Sequence, residues 1–271
     1  MDIRDKIVIV TGGAHGIGRA LCERFASDGA RHVIVADLDE PAAQAVADAI
    51  NGTAMRCDVS QESDLQSLVA HTLETHGHVD LFCSNAGITT KGGAEVPDED
   101  WQRLWEVNVM SHVYAARAIL PSMIERGEGY LLQTASAAGL LTEIGSAPYS
   151  VTKSAVISFA EWLSIHHQKK GIGVSCLCPA GVATDFLDLD DPIHQFLHVS
   201  SVSPEDVADA VVRGLAEERF LITPDQHLVV QEFFAYKGED YDRWLKNFAR
   251  INQKLERLKQ KATAGTTTDR S

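Results

Sequence analysis

Lys6-Ile7-Val8-Ile9-Val10-Thr11-Gly12-Gly13-Ala14-His15-Gly16-Ile17-Gly18 is the stretch on which the fold turns. Residues 6–10 form a short, nearly continuous apolar run, the pattern of a strand buried on both faces. The run stops at Thr11-Gly12-Gly13, and a helical pattern (Ile17, Ala20, Leu21, Phe25) follows and closes at Gly29. Glycines 12, 16 and 18 let the backbone turn tightly and approach a pyrophosphate, and the amides and dipole of a helix N-terminus attract that anion. A lone glycine triple is weak evidence. This one has a strand before it, a helix after it, and an acid at the end of the next apolar run (His32 to Ala36). That acid, Asp37, lies 19 residues beyond Gly18. At this spacing a carboxylate accepts hydrogen bonds from adenosine ribose hydroxyls and repels the extra phosphate of NADP. NAD is therefore the expected cofactor. His15 stands where a basic residue contacts that phosphate, so NADP stays open as the alternative.

Outward from this core the alternation continues. A helix begins behind Pro41, a weak third strand covers Ala54 to Cys57, and a helix starts near Ser60 with apolar positions at Leu65, Leu68, Val69 and Leu73. Val79 to Ser84 reads as a fourth strand, Trp101 to Arg126 as one long helix, and Gly129 to Thr134 as a strand. Tyr149 to Lys170 reads as a helix, Gly173 to Cys178 as a strand, and Pro204 to Glu218 as a helix capped by Ser203. Strand and helix in strict turn imply parallel pairing, because each return needs a crossover. The expectation is a single α/β domain over residues 1–260, a doubly wound parallel sheet with helices on both faces. Its last helix, Tyr241 to Leu258, has apolar spacing at Trp244, Leu245, Phe248, Ile251 and Leu255. Three roles are open to it: packing on the core, covering the active site, or joining a neighbouring subunit. Residues 261–271, rich in Thr, Gly and Ala, read as a disordered tail.

The 271 residues carry 24 basic and 38 acidic side chains, a net charge of −14. This argues against a nucleic-acid partner or an acidic membrane surface, both of which need a basic face. The start of the chain has neither the apolar length of a secretion signal nor that of a spanning helix, so a cytoplasmic protein is expected. Five cysteines without CxxC spacing or a histidine partner read as buried structural thiols, and no metal is expected.

Tyr149 and Lys153 are four residues apart and share one helix face, which brings an ammonium beside a phenol. A close cation favours the phenolate, so the tyrosine can act as a general base near neutrality. Ser136, just after a strand, can hydrogen-bond a substrate oxygen.

Taken together, these residues make the chain resemble the short-chain dehydrogenase/reductase (SDR) family over nearly its whole length, with the Rossmann-type fold of that family. Thr11 to Gly18 matches its glycine motif, Asp58-Val59 its adenine contact, and Asn85-Ala86-Gly87 its turn after the fourth strand. The resemblance puts the catalytic tetrad on Asn108, Ser136, Tyr149 and Lys153. It implies that Tyr149 exchanges the proton, Ser136 orients the substrate oxygen, and Lys153 lowers the phenol and holds the nicotinamide ribose. Asn108, in the middle of the long helix, is expected to hold a water that links Lys153 to solvent. The cofactor is expected along Gly12, His15, Gly16, Ile17, Gly18, Asp37 and Leu38. Asp58, Val59, Asn85, Ala86 and Gly87 continue the track to Tyr149 and Lys153, with Pro179, Val182 and Thr184 at the nicotinamide. Two departures stand out. Ser84 replaces an asparagine that braces the sheet, and Ala180 replaces a glycine, which strains the turn if that position needs positive φ.

Residues 88–96, 137–147 and 185–199 are expected to line the substrate pocket, with Leu140, Ile144 and Phe186 against the substrate beside Ser136 and Tyr149. Largely apolar walls suit a hydrophobic secondary alcohol or ketone. Rival readings are a dehydratase or epimerase of the same fold, a haloalcohol-cleaving relative, or a dinucleotide-sensing protein without catalysis. The intact glycine loop speaks against the haloalcohol type, and the complete tetrad against the sensor. The resemblance also implies a homodimer or homotetramer built on the two long helices.

Overall fold

The runs that read as buried strands pair in parallel, as a chain that returns through helices requires. The computed structural model describes residues 1–184, 201–224 and 228–267. Its strands are β1 (Ile7–Thr11), β2 (His32–Asp37), β3 (Thr53–Arg56), β4 (Leu81–Ser84), β5 (Gly129–Thr134), β6 (Ile172–Leu177) and β7 (Leu221–Ile222). The sheet order is β3-β2-β1-β4-β5-β6-β7, so the chain reverses direction between β1 and β4. In open sheets of this kind, ligands sit beyond the carboxyl ends of the strands at that switch point.

Alternate residues along each strand feed opposite layers. Ile9, Phe82, Leu131 and Val174 pack with α3 (Glu62–His76), α5 (Ser111–Arg126) and α7 (Ala147–His167). Val8, Val10, Leu132 and Leu177 pack with α1 (Gly16–Ser27), α2 (Glu40–Ile50) and α8 (Pro204–Ala216). Phe82 and Ile9 are fully buried, and each such side chain contributes about 1.5–3 kcal/mol. Ser203 caps α8 in a reciprocal box with Asp206. All five cysteines are buried and free, and burial pushes the thiols of Cys22, Cys57 and Cys83 upward.

The expected long helix is present and starts earlier, as α4 (Asp98–Trp105), a π turn over Glu106–Met110, and α5, which follow one another without a break in the helical backbone. Two further helices were not legible as such: α6 (Ala137–Leu141) and α9 (Leu228–Glu239). The last helix, α10 (Tyr241–Thr267), runs past the boundary expected near residue 260. No described helix is long and apolar enough to cross a membrane.

Candidate active site

The glycine loop takes its shape from close approaches. Gly12 has φ +64°, and a Cβ there would lie 2.9 Å from the Ala86 backbone. A Cβ on Gly18 would overlap the Gly12 carbonyl oxygen. Helix α1 begins after His15, whose side chain makes no capping bond, and no acid stands in its first turn. Its leading amides are thus left for an anion. Thr11 ties the loop to the β4 turn: its hydroxyl accepts from the Asn85 and Ala86 amides at 3.0 and 3.3 Å, and Asn85 Nδ2 donates to the Thr11 carbonyl at 3.1 Å. At the end of β2, the Asp37 carboxylate accepts from the Ala14 and Asp39 amides, both at 3.0 Å. His15 Nε2 lies 3.2 Å from Asp39 Oδ2. Asp37 thus lines this end of the cleft, Asp39 lies just beyond it, and the His15 imidazole faces Asp39.

The four residues expected to form the tetrad come from three segments: the π turn, the start of α6, and α7. Ser146 caps α7 and accepts from the Tyr149 amide at 3.2 Å, which places the phenol in the first helical turn. The phenol is buried against Leu104, Ala138 and Ile88 and shares a hydrogen bond with Ser136. Ser136 itself caps α6, accepting from the Ala138 amide at 3.1 Å and donating to the Pro179 carbonyl at 3.4 Å. Lys153 Nζ stands 5.7 Å from the Tyr149 ring centroid and donates to the Thr134 carbonyl at 3.0 Å. Burial lowers the Lys153 ammonium to about 8. Burial also pushes the Tyr149 phenol up; the Ser136 hydrogen bond opposes this, and Glu143 and Cys178 add to it. Lys153 is expected to lower the phenol, but desolvation governs it instead, because the whole group sits out of water.

Asn108 lies in the π turn and is fully buried. Its Oδ1 accepts from the Ile88 amide at 2.8 Å, and its Nδ2 donates to the Ile88 carbonyl at 2.9 Å and to Thr152 Oγ1 at 3.2 Å. The side chain thus braces the segment after β4. One turn further along, His112 Nδ1 pairs with Gln133 Oε1 at 2.6 Å, and both are wholly buried. Because that oxygen only accepts, Nδ1 carries the proton. Burial, then the nearby Lys153 charge, lowers the imidazole to about 3. Ser84 is the register partner of Gln133 and is also buried. Sequence reasoning missed this pair; the signal available was two polar residues inside otherwise apolar helical and strand patterns.

One cleft of ≈ 1810 Å³ joins the glycine loop to Tyr149. A single small ligand takes about 300–1,000 Å³, so the space suits a dinucleotide together with a substrate. Gly12, His15, Gly16, Ile17, Gly18, Asp37, Leu38, Asp58 and Val59 line one part. Asn85, Ala86, Gly87, Ser136, Tyr149, Lys153, Pro179, Val182 and Thr184 line the middle. Ala180 has no positive φ, so replacing glycine there costs no strain. Ile144 lines the substrate end, but Leu140 does not: α6 turns it into the core, 4% exposed, and presents Leu141 instead. Asn108 lies behind the wall, and Phe186 with residues 185–199 lies outside the described residues. The far wall comes from Val229, Val230 and Phe233 of α9 and from Phe248, Ile251 and Leu255 of α10. Of the three roles open to the last helix, the one visible is at the cleft: Phe248, Ile251 and Leu255 line it, while the buried Trp244 packs on Phe233 and Tyr236 of α9.

Residues 6–192 match the family model for short chain dehydrogenases. Over 238 residues the chain is 35% identical to 1-deoxy-11-beta-hydroxypentalenate dehydrogenase of Streptomyces exfoliatus, covering 82% of this chain and 84% of the relative. Over 210 residues it is 36% identical to 2,5-dichloro-2,5-cyclohexadiene-1,4-diol dehydrogenase of Sphingobium indicum, covering 75% and 84%. The crystal structure of a short chain dehydrogenase/reductase from Burkholderia phymatum in complex with NAD superposes with a TM-score of 0.81 at 29% identity, covering 89% of this chain and 96% of that one. With seven parallel strands and the glycine loop at their switch point, the chain belongs to the short-chain dehydrogenase/reductase family.

Proposed function

We propose that the protein is an NAD-dependent dehydrogenase that interconverts a hydrophobic secondary alcohol and its ketone, with Tyr149 as the general acid and base. The observation that carries this reading is the Tyr149–Ser136 hydrogen bond, with Lys153 beside the ring, inside the cleft that also holds the glycine loop. Gly12, Gly16, Gly18 and the α1 N-terminus suit a pyrophosphate, and Asp37 suits an adenosine ribose. Asp37 with Asp39 supports NAD over NADP, since both carboxylates disfavour a further phosphate, and His15 is directed to Asp39. Bound NAD supplies a hydride acceptor, and NADH a hydride donor.

In oxidation, Tyr149 Oη takes the hydroxyl proton of the alcohol; in reduction it returns that proton to the carbonyl oxygen. Ser136 holds the same oxygen, and Lys153 keeps a positive charge beside the phenol. The raised phenol keeps Tyr149 protonated at neutral pH, so oxidation, which needs the phenolate as base, speeds up as pH rises. Leu141, Ile144, Val230, Phe233 and Phe248 exclude water and favour a hydrophobic substrate. The exposed Val151, Trp162 and Ile165 on α7 support pairing of copies through that helix.

The test is absorbance at the reduced-nicotinamide band with NAD, then NADP, and a panel of secondary alcohols. NADH formation with one alcohol class supports the reading. Turnover with NADP alone would overturn the assignment of Asp37, and tight NAD binding without turnover of any alcohol or ketone would favour a sensor.

A further inference from the structure

Helices α9 and α10 enclose a groove of ≈ 330 Å³ beside the catalytic cleft, within the range of small-ligand pockets, about 300–1,000 Å³. Its floor is aromatic. Trp244 is fully buried and meets Phe233 and Tyr236 edge-on at 5.9 and 6.1 Å, and Phe248 at 3.8 Å, between ring centroids. Asn247 Nδ2 donates to the Tyr236 hydroxyl at 2.9 Å, which fastens the two helices together. Phe233, Phe248 and Ile251 line both the groove and the cleft, so the two spaces share an apolar border. The charge along the groove is of one sign. Arg250 and Lys254 stand one turn apart on α10, and no carboxylate lines the groove; Asp242 and Glu256 of the same helix lie outside it. Among the described residues, neither Arg250 nor Lys254 has an ion pair or a hydrogen bond. Arg243, by contrast, is engaged over the Tyr236 ring at 5.9 Å. Like charges four residues apart destabilise a helix, and an anion held between them offsets that repulsion.

We propose that this groove holds the far end of the substrate, so that the preferred alcohols are amphipathic acids: an apolar body with the reacting hydroxyl near one end and a carboxylate near the other. This rests on the alcohol–ketone reading above. The apolar body lies along Phe248 and Ile251, and the carboxylate oxygens accept from Arg250 and Lys254 at the groove edge. A carboxylate suits this pair, since its two oxygens take one charged donor each and a guanidinium matches its plane. A single small anion is favoured over an anionic membrane. The net charge of −14 repels the chain from such a surface at long range, whereas two cations beside a concave aromatic floor act at contact.

The experiment compares kcat/KM with NAD for 9-hydroxydecanoic, 11-hydroxydodecanoic and 15-hydroxyhexadecanoic acids and for their methyl esters. It uses wild type, the double variant Arg250→Gln with Lys254→Gln, and the double variant Arg250→Glu with Lys254→Glu. Both side chains are exposed, so the variants should fold. The expected result is that one acid exceeds its ester by about 5-fold or more in wild type. That ratio should fall to near one in the glutamine variant, chiefly through KM, and below one in the glutamate variant. Calorimetry with dodecanoate reads the groove without turnover. Wild type should bind it, and the glutamine variant should bind about 5-fold or more weakly. Acid-to-ester ratios within twofold for all three wild-type pairs, or a dodecanoate affinity that both variants leave unchanged, overturn the subsite and leave the dehydrogenase reading intact. Dodecanoate binding that weakens as protein concentration rises overturns it in favour of a second copy seated on the groove. Sedimentation with phosphatidylglycerol vesicles, without dodecanoate binding, overturns it in favour of a lipid surface. Dodecanoate binding that depends on Arg250 and Lys254, in a protein that turns over no alcohol, upholds the acid site and overturns the alcohol–ketone reading.

Discussion

Replacing Tyr149 with Phe removes one oxygen from a site whose other contacts stay satisfied. Ser136 keeps the Ala138 amide at 3.1 Å and the Pro179 carbonyl at 3.4 Å, so no buried polar group is stranded. The ring keeps its packing on Leu104 and Ala138. The stability change should therefore stay within about 1 kcal/mol, the net worth of one hydrogen bond. The glycine loop is untouched, and dinucleotide affinity should hold within about threefold. The proton route is lost altogether, which costs about 10²–10⁴ in kcat for a general acid–base group. Steady-state NADH formation measures the rate, thermal unfolding the fold, and fluorescence titration with NADH the binding. A folded Tyr149→Phe variant that binds NADH and keeps kcat within about threefold of wild type would refute the assignment, because the proton would then move through another group.

Asp37→Asn removes the charge that bars a second phosphate, and the ratio of kcat/KM for NADP over NAD should rise about 10-fold, or about 1.4 kcal/mol; an unchanged ratio in parallel assays would show that Asp37 does not set the choice. Gly18→Ala places a methyl against the Gly12 carbonyl, so the loop must shift. Overpacking of this kind costs about 1–3 kcal/mol, and calorimetry with NAD should show weaker binding together with a lower Tm. His112, at about 3 in the fold and near 6.5 when unfolded, binds its proton in the unfolded state first. Its contribution to stability is present above pH ~6.5 and is lost as pH falls toward 3. His112→Asn keeps a donor for Gln133 without titrating in this range, so the stability difference between pH 7 and pH 4.5 should narrow by about 2–3 kcal/mol in urea titrations. An unchanged difference would place the acid sensitivity elsewhere.

Most of the cofactor half was legible in the chain because its signals are local. Ile7 to Gly18 carries a buried strand, a glycine turn and a helix start within a dozen residues, and Asp37 follows at the end of the next strand. Tyr149 and Lys153 share one helix, and their spacing alone places them together. Signals shorter than a period were lost. β7 has only two residues and α6 only five, too few for alternation or a helical repeat to show. Residues 137–147 are expected as a pocket-lining segment with Leu140 at the substrate, whereas α6 turns Leu140 inward and exposes Leu141 to the cleft. The π turn at Asn108 was hidden as well, since one extra residue in a turn leaves an apolar pattern nearly unchanged.

The sequence by itself determined the fold class, and it made the glycine loop, the acid at Asp37 and the Tyr149–Lys153 pair legible through residue types at fixed short spacing, while Asn108 and Ser136 came in through the family resemblance. Tertiary structure alone decided what surrounds them. It buried Lys153 and Tyr149 deeply enough for desolvation to govern both groups. It also joined His112 to Gln133, seated Asn108 on Ile88, and laid α9 and α10 along the substrate end. These are contacts between residues distant in the chain, and their energies come from burial and partners that exist only once the layers have packed.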